Sequence, residues 1–231
     1  MKKYELTAEF IEKWGKKLFR IKALISFGSV EAGELGGYIE KEDNLAHDGN
    51  AWVSGNARVS GDAEVSGNAR VSGNARVSGN AWVYGNAEVS GNAWVYGNAW
   101  VSGNAWVYGN AEVSGDARVY GNARVSGDAE VSGDARVSGD AEVSGNADYL
   151  LIGRIGSRFS FTTFFKNKDK GITVSCGCFL GTIAEFRAKV TDTHGNNKHA
   201  KIYNLAADMA ELQILGEEHF DKLNTNKSEL F

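Results

Sequence analysis

Two cysteines and two histidines near the carboxyl end of the chain are the residues best suited to chemistry. Cys176 and Cys178 form a C-x-C pair, and His194 and His199 follow shortly after. Thiolates and imidazoles bind zinc, but C-x-C is tighter than the usual spacer of two to four residues. A reactive thiol is a second alternative, which requires an exposed, electropositive setting. Because alternation along a strand puts both cysteines on the apolar face of segment Ile172–Leu180, core packing is the favoured interpretation, and no metal site is predicted.

A set of eight aromatic residues in the middle of the chain is the second candidate. It comprises Trp82, Tyr84, Trp94, Tyr96, Trp100, Trp106, Tyr108 and Tyr120. Trp and Tyr dominate interface hot spots, so these residues predict a contact surface for a second copy or another partner. A small ligand held between copies is an alternative. A third is that repeat drift placed them there, where they shield strand edges.

The elements that must position these residues are repeats of six residues. The pattern N/D-A-x-V-S/Y-G runs from Asn50 to Gly145 in sixteen uninterrupted copies. A hexapeptide period is typical of a parallel β-helix, in which each hexad is a short strand and a corner. Alanine and valine lie two residues apart and point into the core, whereas x points outward. The Gly-Asn or Gly-Asp pair supplies residues that tolerate positive φ at the corner.

Three strands make a triangular turn of about 18 residues, so the hexads predict about five turns and a rod of about 25 Å. Each strand then lies over the strand 18 residues further on. The outward residues form three columns: Trp52, Arg70, Glu88, Trp106, Arg124 and Glu142; Arg58, Arg76, Trp94, Glu112 and Glu130; Glu64, Trp82, Trp100, Arg118 and Arg136. Arg70 over Glu88 and Arg124 over Glu142 predict ion pairs, and Trp100 over Arg118 predicts a cation–π contact.

The flanks of the rod predict caps. Before it, Tyr4–Leu6, Phe10–Lys13 and Leu18–Leu24 are predicted strands, with a turn at Trp14–Lys16. Residues 44–49, NLAHDG, form an irregular hexad that is expected to be the first rung, with Leu45 at the alanine position and His47 inward at the valine position.

After the rod, residues 159–165 and 172–180 predict a hairpin, and Thr182 with Glu185 predicts a capping box that opens a helix. A second helix is predicted from Lys198, with one apolar stripe along it. The stripe comprises Ile202, Leu205, Met209 and Leu212. This ββαα unit is expected to close the open end of the rod.

Composition narrows the function classes. The formal net charge of −4 argues against a basic nucleic-acid footprint, so no nucleic acid is expected as a partner. The sequence has no apolar run long enough to span a membrane, and its first residues lack the apolar core of a signal peptide. Two cysteines spaced C-x-C are not a disulfide framework. A cytoplasmic protein without a cofactor is predicted.

The hexads resemble the left-handed β-helix of the hexapeptide-repeat acyltransferase superfamily. Residues 19–53, FRIKALISFGSVEAGELGGYIEKEDNLAHDGNAWV, are more similar to the entry into the rod of YdcK-like proteins. Residues 164–195, FFKNKDKGITVSCGCFLGTIAEFRAKVTDTHG, resemble a C-terminal module of uncharacterised phage and prophage proteins. The resemblance implies a left-handed rod and a parallel homotrimer.

Acyltransferases of this fold need a histidine general base near the joint between rods. The sixteen hexads contain no histidine and no loop that interrupts them. His47, His194 and Cys176 are therefore weak catalytic candidates, and a packing role in the cap is the favoured interpretation of His47.

Together these observations predict a mainly β protein: a left-handed parallel β-helix of about 18 residues per turn with an N-terminal β cap and a small ββαα domain. The predicted parts are a cap in 1–43, a solenoid in 44–149, the ββαα domain in 150–216 and a charged tail in 217–231. The predicted function is a non-enzymatic phage or prophage module for binding or assembly, such as an inhibitor that binds a host protein or sequesters a small nucleotide. The alternative is an acyl-CoA-dependent acyltransferase.

Overall fold

A computed structural model describes residues 1–13, 15–218 and 221. The amino-terminal cap is a hairpin of β1 (Tyr4–Lys13) and β2 (Lys16–Ala23), which confirms the predicted strands. Trp14 of the predicted turn lies outside the described residues. A third strand, β3 (Leu35–Ile39), pairs antiparallel with β2 and parallel with the rod, so one rod face continues into the cap without an open edge.

The rod consists of sixteen two-residue strands, one for each hexad. In chain order, β4 to β19 are Trp52–Val53, Arg58–Val59, Glu64–Val65, Arg70–Val71, Arg76–Val77, Trp82–Val83, Glu88–Val89, Trp94–Val95, Trp100–Val101, Trp106–Val107, Glu112–Val113, Arg118–Val119, Arg124–Val125, Glu130–Val131, Arg136–Val137 and Glu142–Val143. They form three parallel sheets, and each strand pairs with the strand 18 residues away. The fold class and the three predicted columns are thereby confirmed.

The core of the rod is built of the alanines and valines of the hexads. All of them are 0–1% exposed, while the residue between alanine and valine lies on the outside of the rod, where Trp52 alone is buried, against Tyr4 and Phe27 of the cap. The rod has about six turns rather than the predicted five. The difference arises because Ile39 of β3 stacks on Val59 and Leu45 pairs with Val65, which completes one more turn before the regular hexads begin.

The irregular hexad at residues 44–49 is out of the expected register. Leu45 pairs with Val65, so it occupies the valine position and not the alanine position. The prediction that His47 points inward at the valine position is therefore wrong. Asn44 makes the shift stable because its buried side-chain amide donates to the carbonyl oxygens of Gly61 and Ala63.

The corners of the rod use glycine and asparagine in different ways. The corner glycines from Gly49 to Gly139 have φ between 60° and 74°. Among the described residues only Phe159 and Lys170 have positive φ without being glycine, so the expectation that asparagine or aspartate shares this role is wrong. Glycine alone adopts the left-handed conformation, because it has no Cβ.

The asparagine side chains instead form ladders along the corners. Each Nδ2 donates to the Oδ1 of the residue 18 positions later, at 2.9–3.4 Å. The ladders are Asn50, Asn68, Asn86, Asn104, Asn122 and Asp140; Asn56, Asn74, Asn92, Asn110 and Asp128; and Asn80, Asn98 and Asp116. Aspartate accepts but does not donate, so it suits the last position of each ladder.

The carboxyl-terminal unit is larger than the predicted ββαα arrangement. Its four antiparallel strands are β20 (Tyr149–Ile155), β21 (Ser160–Lys166), β22 (Ile172–Cys176) and β23 (Phe179–Thr182). Two helices follow, α1 (Ile183–His194) and α2 (Lys198–Leu215), and the predicted capping box of Thr182 and Glu185 is confirmed. Of the charged tail predicted for residues 217–231, residues 219–220 and 222–231 lie outside the described residues.

Strand β21 joins this unit to the rod, which confirms that the unit closes the rod. Phe165 belongs to the rod core, whereas Phe164, on the opposite face of the strand, belongs to the core under the two helices. Asp148 fixes the junction: it accepts hydrogen bonds from Ser144 and is 3.0 Å from Lys166 Nζ. Burial alone would raise the pKa of Asp148, but these hydrogen bonds and the Lys166 charge hold it below its usual range.

Helix α2 packs on the domain with its alanine-rich face and leaves its apolar stripe outside. Its buried face contains Tyr203, Ala206, Ala207, Ala210 and Ile214. The predicted apolar stripe of Ile202, Leu205, Met209 and Leu212 is exposed instead. Small alanines let the helix approach the sheet closely, which favours burial of this face over the stripe of larger residues. In the described part of the chain, no helix is long and apolar enough to cross a membrane.

Candidate functional site

One face of the rod carries consecutive layers of aromatic and arginine side chains. We define this tryptophan face by Trp82, Tyr84, Trp100, Arg118, Tyr120 and Arg136, which project from β9, β12, β15 and β18. These strands are successive neighbours of one parallel sheet, so the side chains follow one another along the rod.

The stacking within the tryptophan face is continuous over three turns. The rings of Trp82 and Trp100 are parallel within 8°, with centroids 5.5 Å apart. The Arg118 guanidinium lies 4.5 Å from the Trp100 ring, which confirms the predicted cation–π contact. Each such contact contributes about 0.5–1 kcal/mol at an exposed site. The stack holds its side chains in one orientation, so little side-chain entropy remains to be lost when a partner binds.

The tryptophan face combines an exposed end with a groove. Trp82 is 46% exposed, and Trp100 beside it is half-buried. A groove of about 240 Å³ lies next to it, lined by Tyr84, Trp100, Ser102, Arg118, Tyr120 and Arg136. Aromatic rings and guanidinium groups thus surround a concave surface from which planar or polar groups of a partner could be contacted.

The remaining predicted aromatic residues lie on the other two faces. On one face, Trp106 stacks with Arg124 at 5.4 Å, and Arg124 meets Glu142 at 4.0 Å, which confirms that predicted ion pair. Arg70 lies over Glu88 on the neighbouring strand, but the predicted ion pair does not form, and the Arg70 guanidinium donates instead to Ser29 Oγ at 3.3 Å. Tyr108 follows Trp106 and is exposed.

The third face holds Trp94 and Tyr96, whose rings are 4.3 Å apart. Trp94 Nε1 donates to Ser78 Oγ, and Tyr96 Oη donates to Glu112 Oε2. Trp94, Trp100 and Trp106 therefore lie on three successive faces of one turn, as predicted. Only the tryptophan face stacks one tryptophan directly on another among the described residues.

His47, the histidine nearest to the rod, packs within the cap. Its ring stacks on Tyr4 with centroids 4.4 Å apart, and its Nδ1 accepts from the Lys3 amide at 3.4 Å. Its Nε2 is 3.8 Å from Glu42 Oε2. Burial raises the pKa of Tyr4, and the charges of Glu42 and Asp43 add to this. These contacts describe a packing residue at one end of the rod.

Cys176 and Cys178 were expected to share one strand face, but they do not. The segment predicted to be one strand turns at Gly177, which has φ of 61°, so Cys176 ends β22 and Cys178 is exposed in the turn. The prediction that both cysteines pack in the core is therefore wrong for Cys178. A single residue of turn was enough to separate them.

Cys176 lines a cavity of about 370 Å³ in the carboxyl-terminal unit, together with Arg158, Lys189, His194 and Tyr203 among others. Thr162 Oγ1 donates to Cys176 Sγ at 3.2 Å. Burial and the interaction with Cys176 together raise the pKa of Tyr203 to about 12, against the opposing charge of Arg158. The cavity escaped prediction because its walls come from distant segments with no common motif.

The histidine rings of this unit lie close together. His194 is 5.7 Å from His199 and 5.8 Å from Tyr203, measured between ring centroids. Within residues 1–13, 15–218 and 221, no group of three or more His, Cys, Asp or Glu side chains is arranged to hold a metal ion. Cys176, Cys178 and His194 line the same cavity, which His199 does not, and they are not arranged as a ligand set.

The three-sided stack and its outward columns define the class of the protein: a parallel β-solenoid repeat protein with 18 residues per turn. A family model described as YdcK Beta solenoid repeat matches residues 51–67, 63–79, 69–85, 87–103, 93–109 and 117–133. Repeats of the YdcK β-solenoid type therefore lie within residues 51–133 of this chain. No curated protein matches it.

Proposed function

We propose that this solenoid is a non-enzymatic binding module, borne by a phage or prophage, whose tryptophan face engages a host protein as an inhibitor does. The observation that carries this proposal is the continuous stack of Trp82, Trp100 and Arg118 on one exposed face. Tryptophan, tyrosine and arginine supply most of the energy in protein interfaces. The phage origin rests on the resemblance of residues 164–195.

The uninterrupted rod supports a binding role over a catalytic one. An acyltransferase of this fold needs a general base beside a groove between rods. The sixteen hexads contain no histidine, and His47 is packed against Tyr4 at the end of the rod. The acyltransferase alternative therefore has no histidine base within the sixteen hexads.

A small nucleotide is the second candidate ligand. The groove of about 240 Å³ offers Trp100 and Tyr120 for stacking on a base and Arg118 and Arg136 for a phosphate. Only this nucleotide alternative uses the homotrimer that the sequence resemblance implies, in which a second copy would close the groove from the other side. We place this second to a host protein because the stack extends beyond the groove to Trp82.

The test compares two tryptophans of equal exposure on different faces. Trp82 is 46% exposed and Trp106 is 44% exposed. The purified full-length chain is immobilised, host-cell proteins are captured, and each captured protein is quantified by mass spectrometry. We expect Trp82→Ala combined with Trp100→Ala to reduce one specific protein at least about tenfold, as for loss of a hot spot. Trp106→Ala, the matched control, should leave its recovery unchanged.

Native mass spectrometry of the protein purified from its host separates the two candidates. A retained small-molecule mass that Arg118→Ala removes would favour the nucleotide. Equal recovery of every captured protein with all variants, and no retained mass, would contradict the proposed role of the tryptophan face.

A further inference from the structure

Helix α2 presents an apolar stripe to solvent on the side away from its own domain. Leu205 is 62% exposed and Met209 is 57% exposed, and Ile202 and Leu212 extend the stripe by one turn in each direction. The spacing of these four residues is 3, 4 and 3. That is the a/d pattern of two heptads, in which the apolar seam meets a second helix. The opposite face of α2 is already buried in the domain core, so the stripe is left for another molecule.

The charges at the two ends of α2 are opposite to those that stabilise an isolated helix. Negative side chains favour the amino end of a helix and positive side chains favour the carboxyl end. Here Lys198 and Lys201 lie in the first turn, while Glu217 and Glu218 follow the last residue. Lys198 and Lys201 precede Ile202 and Leu205 by four residues, so they lie on the same side as the stripe.

This reversed polarity is self-complementary in one arrangement. If two copies of α2 pair antiparallel with Leu205 of one beside Met209 of the other, residue 198 is level with residue 216 of the second helix. Lys198 of each copy then lies at the end of the other helix, which Glu217 and Glu218 follow, and Lys201 lies about one turn before that end, level with Gln213. A parallel pair would instead place Lys198 next to its own equivalent, where like charges repel.

We propose that the α2 stripe is a docking surface for α2 of a second copy of this chain, paired antiparallel about a two-fold axis. Such an interface is isologous, because each helix contributes the same residues to it. Four apolar side chains in a seam two heptads long make a small interface, below the area typical of a permanent dimer. The pair therefore forms and dissociates within an experimentally accessible concentration range.

The test measures the mass of the full-length chain by sedimentation equilibrium over a range of concentrations. We expect wild type to change from one to two copies as concentration rises. Leu205→Glu combined with Met209→Glu should raise the dissociation constant at least about 100-fold, because it places charges in the seam. The matched control is Leu180→Glu on β23, an equally apolar residue that is 50% exposed on the same domain and lies outside the stripe.

Charge reversal tests the orientation of the pair. Lys198→Glu with Lys201→Glu, or Glu217→Lys with Glu218→Lys, should each weaken the dimer at least about tenfold. All four substitutions together should restore it. Each reversal improves the charges of the helix itself, so a loss of the dimer cannot come from a weaker helix.

Three results would overturn the proposal. One is a monomer at every concentration. That result would mean that a second copy does not cover the stripe, and it would count against the proposal even if residues 219–231 or another protein did. Another is an oligomer that persists in the Leu205→Glu, Met209→Glu variant, such as a trimer held by the rods. The third is a dimer that the charge reversals leave unchanged, which would exclude the antiparallel arrangement.

Discussion

Lys3 is a buried cation at the amino-terminal end of the rod. It is 2% exposed, its Nζ donates to the carbonyl oxygens of Asp48 and Gly49 at 3.2 and 3.4 Å, and it lies 4.8 Å from the ring of Phe27. Burial lowers its pKa from 10.5 to about 8, although the Asp48 carboxylate opposes this. The cap is thus held together around a lysine whose charge is costly to bury.

The stability of the protein is expected to rise between about pH 8 and pH 10. In this window Lys3 is charged in the unfolded chain but largely neutral in the folded one, so the unfolded state binds more protons and the free energy of unfolding increases with pH. Above this window the raised pKa of Tyr4 acts in the opposite direction, because the unfolded tyrosine ionises first.

Urea unfolding at several pH values checks this, with Lys3→Met as the test and Lys2→Met as the control. Lys2 is exposed and bonded only to Glu42 in the described residues, so its substitution should leave the pH dependence intact. Lys3→Met should remove the rise. An identical rise in Lys3→Met and wild type would show that another group is responsible.

Single residues were also where the sequence was least informative. The sequence predicted a strand over residues 159–165, but it could not say that Phe164 and Phe165, on the two sides of that strand, belong to different cores. Cys178 was misplaced because one glycine turned the chain within an otherwise strand-like segment. The aromatic residues of the tryptophan face were predicted one by one, and their stacking followed from the period.

At the scale of the element, the corner glycines carry two constraints that can be separated. Gly91 has φ of 68°, and a Cβ there would lie 2.9 Å from the carbonyl oxygen of Gly109 in the next turn. Gly139 has φ of 66°, but a Cβ there would have no atom within 4 Å. The two positions share the same backbone conformation and differ only in what is stacked on them.

Gly91→Ala should therefore destabilise the protein by about 3 kcal/mol, and Gly139→Ala by about 1 kcal/mol. Both variants lose unfolding free energy because a side chain is placed in the left-handed region. Gly91→Ala loses more because its Cβ also meets the neighbouring turn. Chemical denaturation of both variants measures the difference. Equal losses would mean that the turns separate freely enough to admit a methyl group.

The two helices show why periodicity did not reveal which face is buried. The stripe of α2 has the larger apolar residues, yet the domain buries the alanine-rich face and the Glu211 carboxylate, which meets Arg187 of α1 at 2.7 Å. Close approach of backbones favours small residues, and a heptad pattern predicts a helix partner without saying which one. In the rod the buried positions could be predicted, because a single period determines the contacts between its turns.

At the scale of the whole molecule, removing one turn should be far less disruptive than its length suggests. Deleting residues 62–79 removes three hexads, and Asn80 then takes the place of Asp62 under the cap. Every remaining column stays in order, so Trp82 still stacks on Trp100. Deleting residues 68–73 alone should instead rotate the cap about one third of a turn relative to the carboxyl-terminal unit.

Spin labels on Glu12→Cys and on the exposed Cys178, in a Cys176→Ser background, measure the outcome. The deletion of 18 residues should shorten the distance along the rod by about 5 Å, with the cap facing as before. The deletion of six should change the lateral separation of the labels. The same distance in both variants would contradict a three-sided rod.

The hydrogen bonds of the rod run from one turn to the next, for example from Trp82 N to Ala99 O at 2.9 Å, and therefore lie along its long axis. Mechanical force applied between the two ends of the chain then acts on one turn at a time, and all turns are nearly equivalent. The rod should yield as a sequence of similar steps, each releasing one turn of about 18 residues, or about 60 Å of extended chain. In a cell, such a rod would limit the force between molecules bound at its two ends, because each turn that unfolds lengthens the chain before the force can rise further.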